Sequence, residues 1–298
     1  DNTHEKKLFD LALLPAIRWT AEQVGSITAE AAAASDLPLG LPVMTGTADA
    51  AAEALGSGLH SVGDMMMMYG SSNFFIFQTH ALKPIPEFWA SNFLLPGTTV
   101  ITGGMATVGS LFNWLNDTFP GRSFHEWETL SKKSQPGANG VVVLPYFAGE
   151  RTPLFDPDAK GVFFGMQLTT TPGDIFQAVQ EAIGFGIRHN LEMLEKAGEQ
   201  AKRIIAIGGV ASSDVTMQII SDVTGCPQQL PKQRLGACYG DAYLAAYGSG
   251  WMNSLSDIDT WISLEKEFTP NPEHTACYQD RYAKFRELYE TTKHLMHS

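Results

Sequence analysis

A strand, a glycine pair and a helix in immediate succession constrain this chain more than any other feature. Arg203-Ile204-Ile205-Ala206-Ile207 is a short apolar run, Gly208-Gly209-Val210-Ala211-Ser212-Ser213 is a tight turn, and Val215 to Val223 is amphipathic. Such a unit belongs in an α/β layer: the strand is too apolar for a solvated face, and glycine admits backbone paths that side chains obstruct. It is also how a backbone comes close to a nucleotide. Any tight strand-to-helix turn can use glycine, so the unit alone assigns no function. Two other stretches sharpen it: Gly46-Thr47-Ala48-Asp49 after a strand, and Tyr69-Gly70-Ser71-Ser72 in a glycine-rich region.

The chain has 298 residues, 44% of them hydrophobic, enough for one large or two smaller globular domains. A formal charge of -12 with no long Lys/Arg run argues against a bulk nucleic-acid binder. A nucleotide is still accessible, because backbone amides can hold phosphate locally. Cys226, Cys238 and Cys277 lack metal-ligand spacing and form an odd set, which reads as free thiols in a reducing, cytoplasmic compartment. No uninterrupted apolar stretch reaches the roughly 18 residues that read as a membrane span. The first residues, Asp1 to Lys7, lack a signal peptide's hydrophobic core and an initiator methionine, so the chain is expected to be a piece of a longer polypeptide.

Periodicity predicts helices over Leu8 to Leu14, Thr20 to Val24 and Thr28 to Ala34, the last capped by Thr28. A short buried strand is expected at Pro42 to Gly46, then a helix from Ala50 to Leu55 ending at Gly56-Ser57-Gly58. Met65 to Tyr69, Asn73 to Gln78 and Thr98 to Thr102 read as strands, so the four consecutive methionines should alternate between two faces as core rather than gather around a soft metal. Residues 105–118 read as a helix with an apolar stripe of Leu111, Phe112, Trp114 and Leu115, Trp114 being placed in the core. Residues 119–139 read as mixed helix and loop, Val141 to Pro145 as a buried strand, and Gly149 to Gly165 as a turn-rich excursion. Helices over 173–198, 214–223 and 236–247 alternate with the 203–207 strand, and Tyr278 to Met296 reads as a terminal amphipathic helix.

Several stations can carry chemistry. Asp49 stands at a strand-to-helix turn, where its carboxylate either caps the helix or projects into a cleft and collects a hydroxyl proton. Gly70, Ser71 and Ser72 offer small hydroxyls and exposed amides suited to phosphate oxygens. No Walker sequence is present. Gly109 and Asn113 lie on a small-residue helix face that either packs closely or meets a nucleoside. Glu150 and Arg151 bunch opposite charges in Gly149-Glu150-Arg151-Thr152-Pro153, where they pair, cap the turn or shape a site. The histidines show no paired metal spacing, and no Gly-x-Ser-x-Gly elbow appears.

In series, these stretches resemble the C-terminal portion of the FGGY carbohydrate kinases, nearest to xylulokinase-like members. The motifs are Leu41 to Asp49, Tyr69-Gly70-Ser71-Ser72, Leu144 to Pro153, Ile207 to Ser213 and Leu235-Gly236-Ala237-Cys238, and together they span nearly the whole chain. The resemblance implies an α/β, ribonuclease-H-like (actin-like ATPase) fold. It implies an end of a first domain or linker at 1–40, a nucleotide-binding domain at 41–255 and a C-terminal helical extension at 256–298. It places Asp49 on the catalytic base and Gly70, Ser71 and Ser72 on the phosphate loop. Gly109 and Asn113 fall near adenosine, and Gly208, Gly209, Ala211 and Ser212 on the loop over adenine and ribose. Val210 stands where many relatives carry a third glycine. ATP and Mg²⁺ are the implied cofactors, a sugar or polyol the implied acceptor with a pentulose such as xylulose foremost, and a missing N-terminal domain the implied partner. A homodimer stays open, with Trp251 and Trp261 available to an interface or to the local core. Two other classes compete with this reading. A nucleotide-binding actin-like module without sugar chemistry is disfavoured by Asp49 beside the Glu150 to Pro153 pattern. A dehydrogenase lacks its Gly-x-Gly-x-x-Gly.

Overall fold

The computed structural model describes residues 11–13 and 15–297. Its strands are β1 (Gln23–Ser26), β2 (Pro42–Met44), β3 (Asp64–Tyr69), β4 (Asn73–Thr79), β5 (Trp89–Asn92), β6 (Thr99–Gly103), β7 (Val142–Leu144), β8 (Val162–Phe164), β9 (Arg203–Ile207), β10 (Gln228–Pro231) and β11 (Leu264–Phe268). Its helices are α1 (Ala29–Ser35), α2 (Asp49–Gly56), α3 (Gly109–Thr118), α4 (Phe124–Ser131), α5 (Pro172–Lys196), α6 (Asp214–Thr224), α7 (Ala237–Gly248) and α8 (Thr275–Met296).

The methionine run shows how the layers form. On β3, Met65, Met67 and Tyr69 enter one core cluster with residues of α3 and α5, whereas Met66 enters another with Ala54 of α2, and Met68 packs against that second cluster. The two-residue repeat of a strand thus gives a sheet covered on both faces. Each buried methionine contributes about 1.5–3 kcal/mol of transfer free energy. The central sheet has seven strands in the order β11-β10-β9-β3-β4-β6-β5. β9 runs parallel to both β3 and β10, and the other neighbours are antiparallel. Met68 pairs with Ile207 in the β3–β9 register, so the turns that follow these strands, beginning at Gly70 and Gly208, leave the same edge of the sheet.

On the α2 face, α2 and α7 cross with almost no side-chain layer between them. A Cβ on Gly240 would lie 1.8 Å from the Ala52 carbonyl oxygen, and one on Gly56 would lie 2.8 Å from the Gly240 nitrogen. On the opposite face α5 packs with α4, and α8 closes a further core of Tyr146, Phe185, Tyr278 and Phe285 with the small β7–β8 sheet.

Several expectations change. Thr20 to Val24 is no helix: Ala21 takes φ +65°, its amide donates to Thr45, and Gln23–Ser26 pairs antiparallel with β2. The Pro42 strand exists but is exposed to half-buried. The predicted Leu8 to Leu14 helix lies largely outside the described residues; Leu11–Leu13 forms a 3-10 turn. Trp114 is 37% exposed and packs on Phe147 and Phe163 at the surface. The segment from 256 onward contains β11, an edge strand of the main sheet, besides its helix. Trp261 packs on Tyr239 and Tyr243 in a local core, whereas Trp251 is 79% exposed. Among the described residues no helix is long and apolar enough to cross a membrane.

Candidate functional site

The turn after β3 is tied to the start of α3 by a compact set of hydrogen bonds. The Gly70 amide donates to the Ser72 carbonyl at 3.0 Å, closing the turn. Val108 and Ser110 then donate their amides to the Ser71 carbonyl at 2.9 and 3.0 Å, and Gly109 donates to the Gly70 carbonyl at 2.9 Å. The Ser110 hydroxyl adds a third bond to the Ser71 carbonyl at 2.8 Å. Such proximity requires glycine at 109, where a Cβ would stand 2.7 Å from the Gly70 oxygen. The same logic holds at Gly208, which takes φ +94° and has the Tyr69 carbonyl oxygen 2.7 Å from where a Cβ would be.

These contacts bring the β3, α3 and β9 turns around one cavity of about 330 Å³. Gly70, Ser71, Gly109, Asn113, Gly209 and Ser212 all line it, with Phe112 and Phe124 as aromatic walls. Gly209 has ordinary helical angles, φ -64° and ψ -39°, and a Cβ there would meet no protein atom within 4 Å. Neither backbone conformation nor packing therefore demands glycine at 209; the free space lies on the cavity side. Ser212 is exposed and its hydroxyl donates to the Gly209 carbonyl at 2.7 Å, bracing the turn.

Three predicted residues stand elsewhere. Ala211 is fully buried in the main core and does not line this cavity, the 3-10 turn Val210–Ser212 holding it inward. Ser72 is half-buried and closes the turn through its carbonyl instead of lining the cavity. Gly208 lines an adjoining cavity of about 400 Å³, with Glu53, Ser57, Arg234 and Gly236.

Asp49 opens α2 and is exposed, and its Oδ1 accepts the Ala50 amide at 2.7 Å. Glu53, one turn further along α2, lines the cavity beside Gly208. Burial and the nearby Asp49 carboxylate both raise the Glu53 pKa. Asp49 therefore sits one helical turn from a residue that lines that cavity.

Glu150 and Arg151 make no ion pair. The Glu150 Oε1 instead accepts the amides of Ala106 at 2.8 Å and Arg151 at 2.7 Å, and burial pushes its pKa up to about 7 against the pull of those bonds. Nearby, Thr152 accepts the Gly104 amide at 2.7 Å and donates to Asn190 at 2.6 Å.

Sequence reasoning missed Glu53 and Phe124. The signal for Phe124 was present: Ser123 and Glu126 form a capping box, which fixes the start of α4 and puts Phe124 at its first position. Glu53 carried only the weaker signal of lying four residues after Asp49 on one helix face. As for metal, no group of three or more His, Cys, Asp or Glu side chains among the described residues could hold an ion. Among the described residues the donor set does not make a Mg²⁺ site by itself.

Residues 65–249 match the C-terminal domain model of the FGGY family of carbohydrate kinases. The chain is 30% identical over 278 residues to the xylulose kinase of Staphylococcus epidermidis, covering 91% of this chain and 56% of that protein. It is 28% identical to the xylulose kinase of Escherichia coli over 288 residues, covering 95% of this chain and 59% of that protein. The crystal structure of xylulose kinase from Rhodospirillum rubrum superposes with a TM-score of 0.90 at 33% identity, covering 97% of this chain and 59% of that one. The chain thus spans between half and two thirds of the length of these relatives. It belongs to the FGGY family of carbohydrate kinases and carries their C-terminal domain, built on the actin-like ATPase fold.

Proposed function

We propose that this chain is the nucleotide-binding half of an ATP-dependent kinase that phosphorylates a small sugar, with a pentulose such as xylulose as the acceptor. The observation that carries the reading is the convergence of Gly70, Ser71, Gly109, Asn113, Gly209 and Ser212 on one open cavity, with Asp49 one helical turn from Glu53 in the lining of the adjoining cavity. The cavity fits a nucleoside: Phe112 and Phe124 offer apolar faces, Asn113 a polar edge, and Gly209 unobstructed backbone approach. Ser71 and the glycine turn contribute small groups at the phosphate end.

In this mechanism the acceptor hydroxyl oxygen attacks the terminal phosphorus of ATP. The bond to the ADP oxygen breaks, and the hydroxyl proton passes to the Asp49 carboxylate. An alcohol is weakly acidic, so Asp49 orients the hydroxyl first and collects its proton as the new bond forms. Mg²⁺ bound to the nucleotide would supply charge neutralisation, its protein contacts being assigned to the part of the enzyme outside this chain. The sugar contacts are assigned to that same part, since transfer requires both reactants held in a closed cleft.

The test uses the longer protein containing this domain. Asp49→Ala should lower sugar phosphorylation by about 100- to 10,000-fold while nucleotide affinity changes little. ADP release in the unsubstituted protein should be stimulated by pentulose. Release that no sugar stimulates would favour a nucleotide-binding module without sugar chemistry.

A further inference from the structure

The 104–110 segment is the shared support of the cavity's phosphate end, and it is clamped from two sides. On one side its Val108, Gly109 and Ser110 amides hold the Gly70–Ser71 turn, and the Met105 carbonyl accepts the Asn73 amide at 3.0 Å. On the other side it rests on the 149–153 turn. The Gly104 amide donates to the Thr152 hydroxyl, the Thr152 amide donates back to Gly104 at 3.2 Å, and Thr107 donates its hydroxyl to the Pro145 carbonyl. Between these anchors the Ala106 amide points to the Glu150 carboxylate at 2.8 Å. Glu150 is 6% exposed and lies among the linings of neither cavity described above.

We propose that Glu150 is a positioning residue for nucleotide binding: by accepting the Ala106 amide it fixes the loop that holds Gly70, Ser71 and Gly109 at the cavity. This rests on the nucleotide reading of the cavity. A buried carboxylate with no ion-pair partner is unfavourable unless its acceptor capacity is used, and Ala106 and Arg151 use it. The geometry also explains why the turn keeps its shape. Glu150 and Asp156 exchange backbone bonds at 2.8 and 3.0 Å, and the Asp156 carboxylate is held by Tyr289 at 2.6 Å and His297 at 2.8 Å. The end of α8 thereby braces the turn from behind.

Burial raises the Glu150 pKa to about 7, so both protonation forms coexist at neutral pH, and the protonated form is the weaker acceptor. The ionisable groups that face it are Arg151 on its own turn, Tyr146 on the segment leading into that turn, and Asp156 across the bridge. Arg151 favours the charged form; the Glu150 charge in turn helps raise Tyr146.

Two variants of the 298-residue chain test this, Glu150→Leu and Glu150→Gln. Hydrogen exchange of the 104–110 amides and calorimetric titration with ADP are the readouts. Glu150→Leu should speed exchange in 104–110 at least tenfold, with α5 and α8 still protected, and weaken ADP by a similar factor. Glu150→Gln keeps a neutral acceptor and should restore most of the protection. Unchanged exchange in Glu150→Leu overturns the role of Glu150 and leaves the nucleotide reading standing. Faster exchange with unchanged ADP affinity overturns the proposal at its other end, showing that the loop does not serve a nucleotide.

Discussion

Two glycines that line the same cavity should respond to substitution in opposite ways. At Gly109 a Cβ would come within 2.7 Å of the Gly70 carbonyl oxygen, which is also the acceptor of the Gly109 amide. The obstructing atom is backbone, so no rotamer change relieves it, and the first turn of α3 must lift from the Ser71 turn. Overpacking alone typically destabilises by about 1–3 kcal/mol. The amide bonds from Val108, Gly109 and Ser110 weaken with that shift, each worth about 0.5–1.5 kcal/mol net. Gly109→Ala should therefore destabilise the chain by about 2–3 kcal/mol, since partial relaxation keeps these terms from adding in full. At Gly209 the angles suit any residue and a Cβ meets nothing, so Gly209→Ala should leave stability unchanged or raise it by about 0.4–1 kcal/mol through the unfolded chain. Gly209→Leu should fold normally yet fill the cavity mouth and weaken ADP at least tenfold, about 1.4 kcal/mol. Urea unfolding followed by calorimetry with ADP measures both effects. An unchanged urea midpoint for Gly109→Ala refutes the packing argument, and undiminished ADP affinity in Gly209→Leu refutes the assignment of the cavity.

Three further outcomes follow from buried groups. Thr152→Val leaves the Gly104 amide and the Asn190 carbonyl oxygen without their partner in the core, and denaturant titration should show a loss of about 1–3 kcal/mol. Gly240→Ala forces a methyl to within 1.8 Å of the Ala52 carbonyl oxygen, so α2 and α7 must separate and the melting temperature should fall well below that of Thr152→Val. Glu181 is fully buried, accepts bonds from Gln177 and Gly137, and is raised to about 7 by burial. The folded state then binds more protons than the unfolded state between about pH 4.5 and 7, so stability falls as pH rises through that window. Glu181→Gln should flatten this decline and gain on the unsubstituted chain at pH 8 relative to pH 5; a parallel pair of stability curves would contradict it.

Elements with a strong local repeat were legible in the sequence. The β9 strand, its glycine turn and α6 follow from apolar periodicity and the conformational freedom of glycine, and the long α5 from its repeating apolar face. Thr28 caps α1 because its hydroxyl meets a local amide, a bond decided within four residues. The alternation of Met65 to Met68 is likewise a property of any strand.

What the sequence could not reveal depended on long-range partners. Gln23–Ser26 is a strand because β2 lies beside it, and β10 and β11 are strands because they extend the edge of an existing sheet; little in their own composition demands it. Ala211 is kept out of the cavity by its packing in the main core, and Phe124 is brought into it by the packing of α4 against α5. Gly109 and Gly209 look alike as letters. Only the folded chain distinguishes them, because one faces a carbonyl at 2.7 Å and the other faces open space. Local sequence sets which backbone conformations are cheap, but the atoms that meet across a cavity are chosen by contacts between segments far apart in the chain.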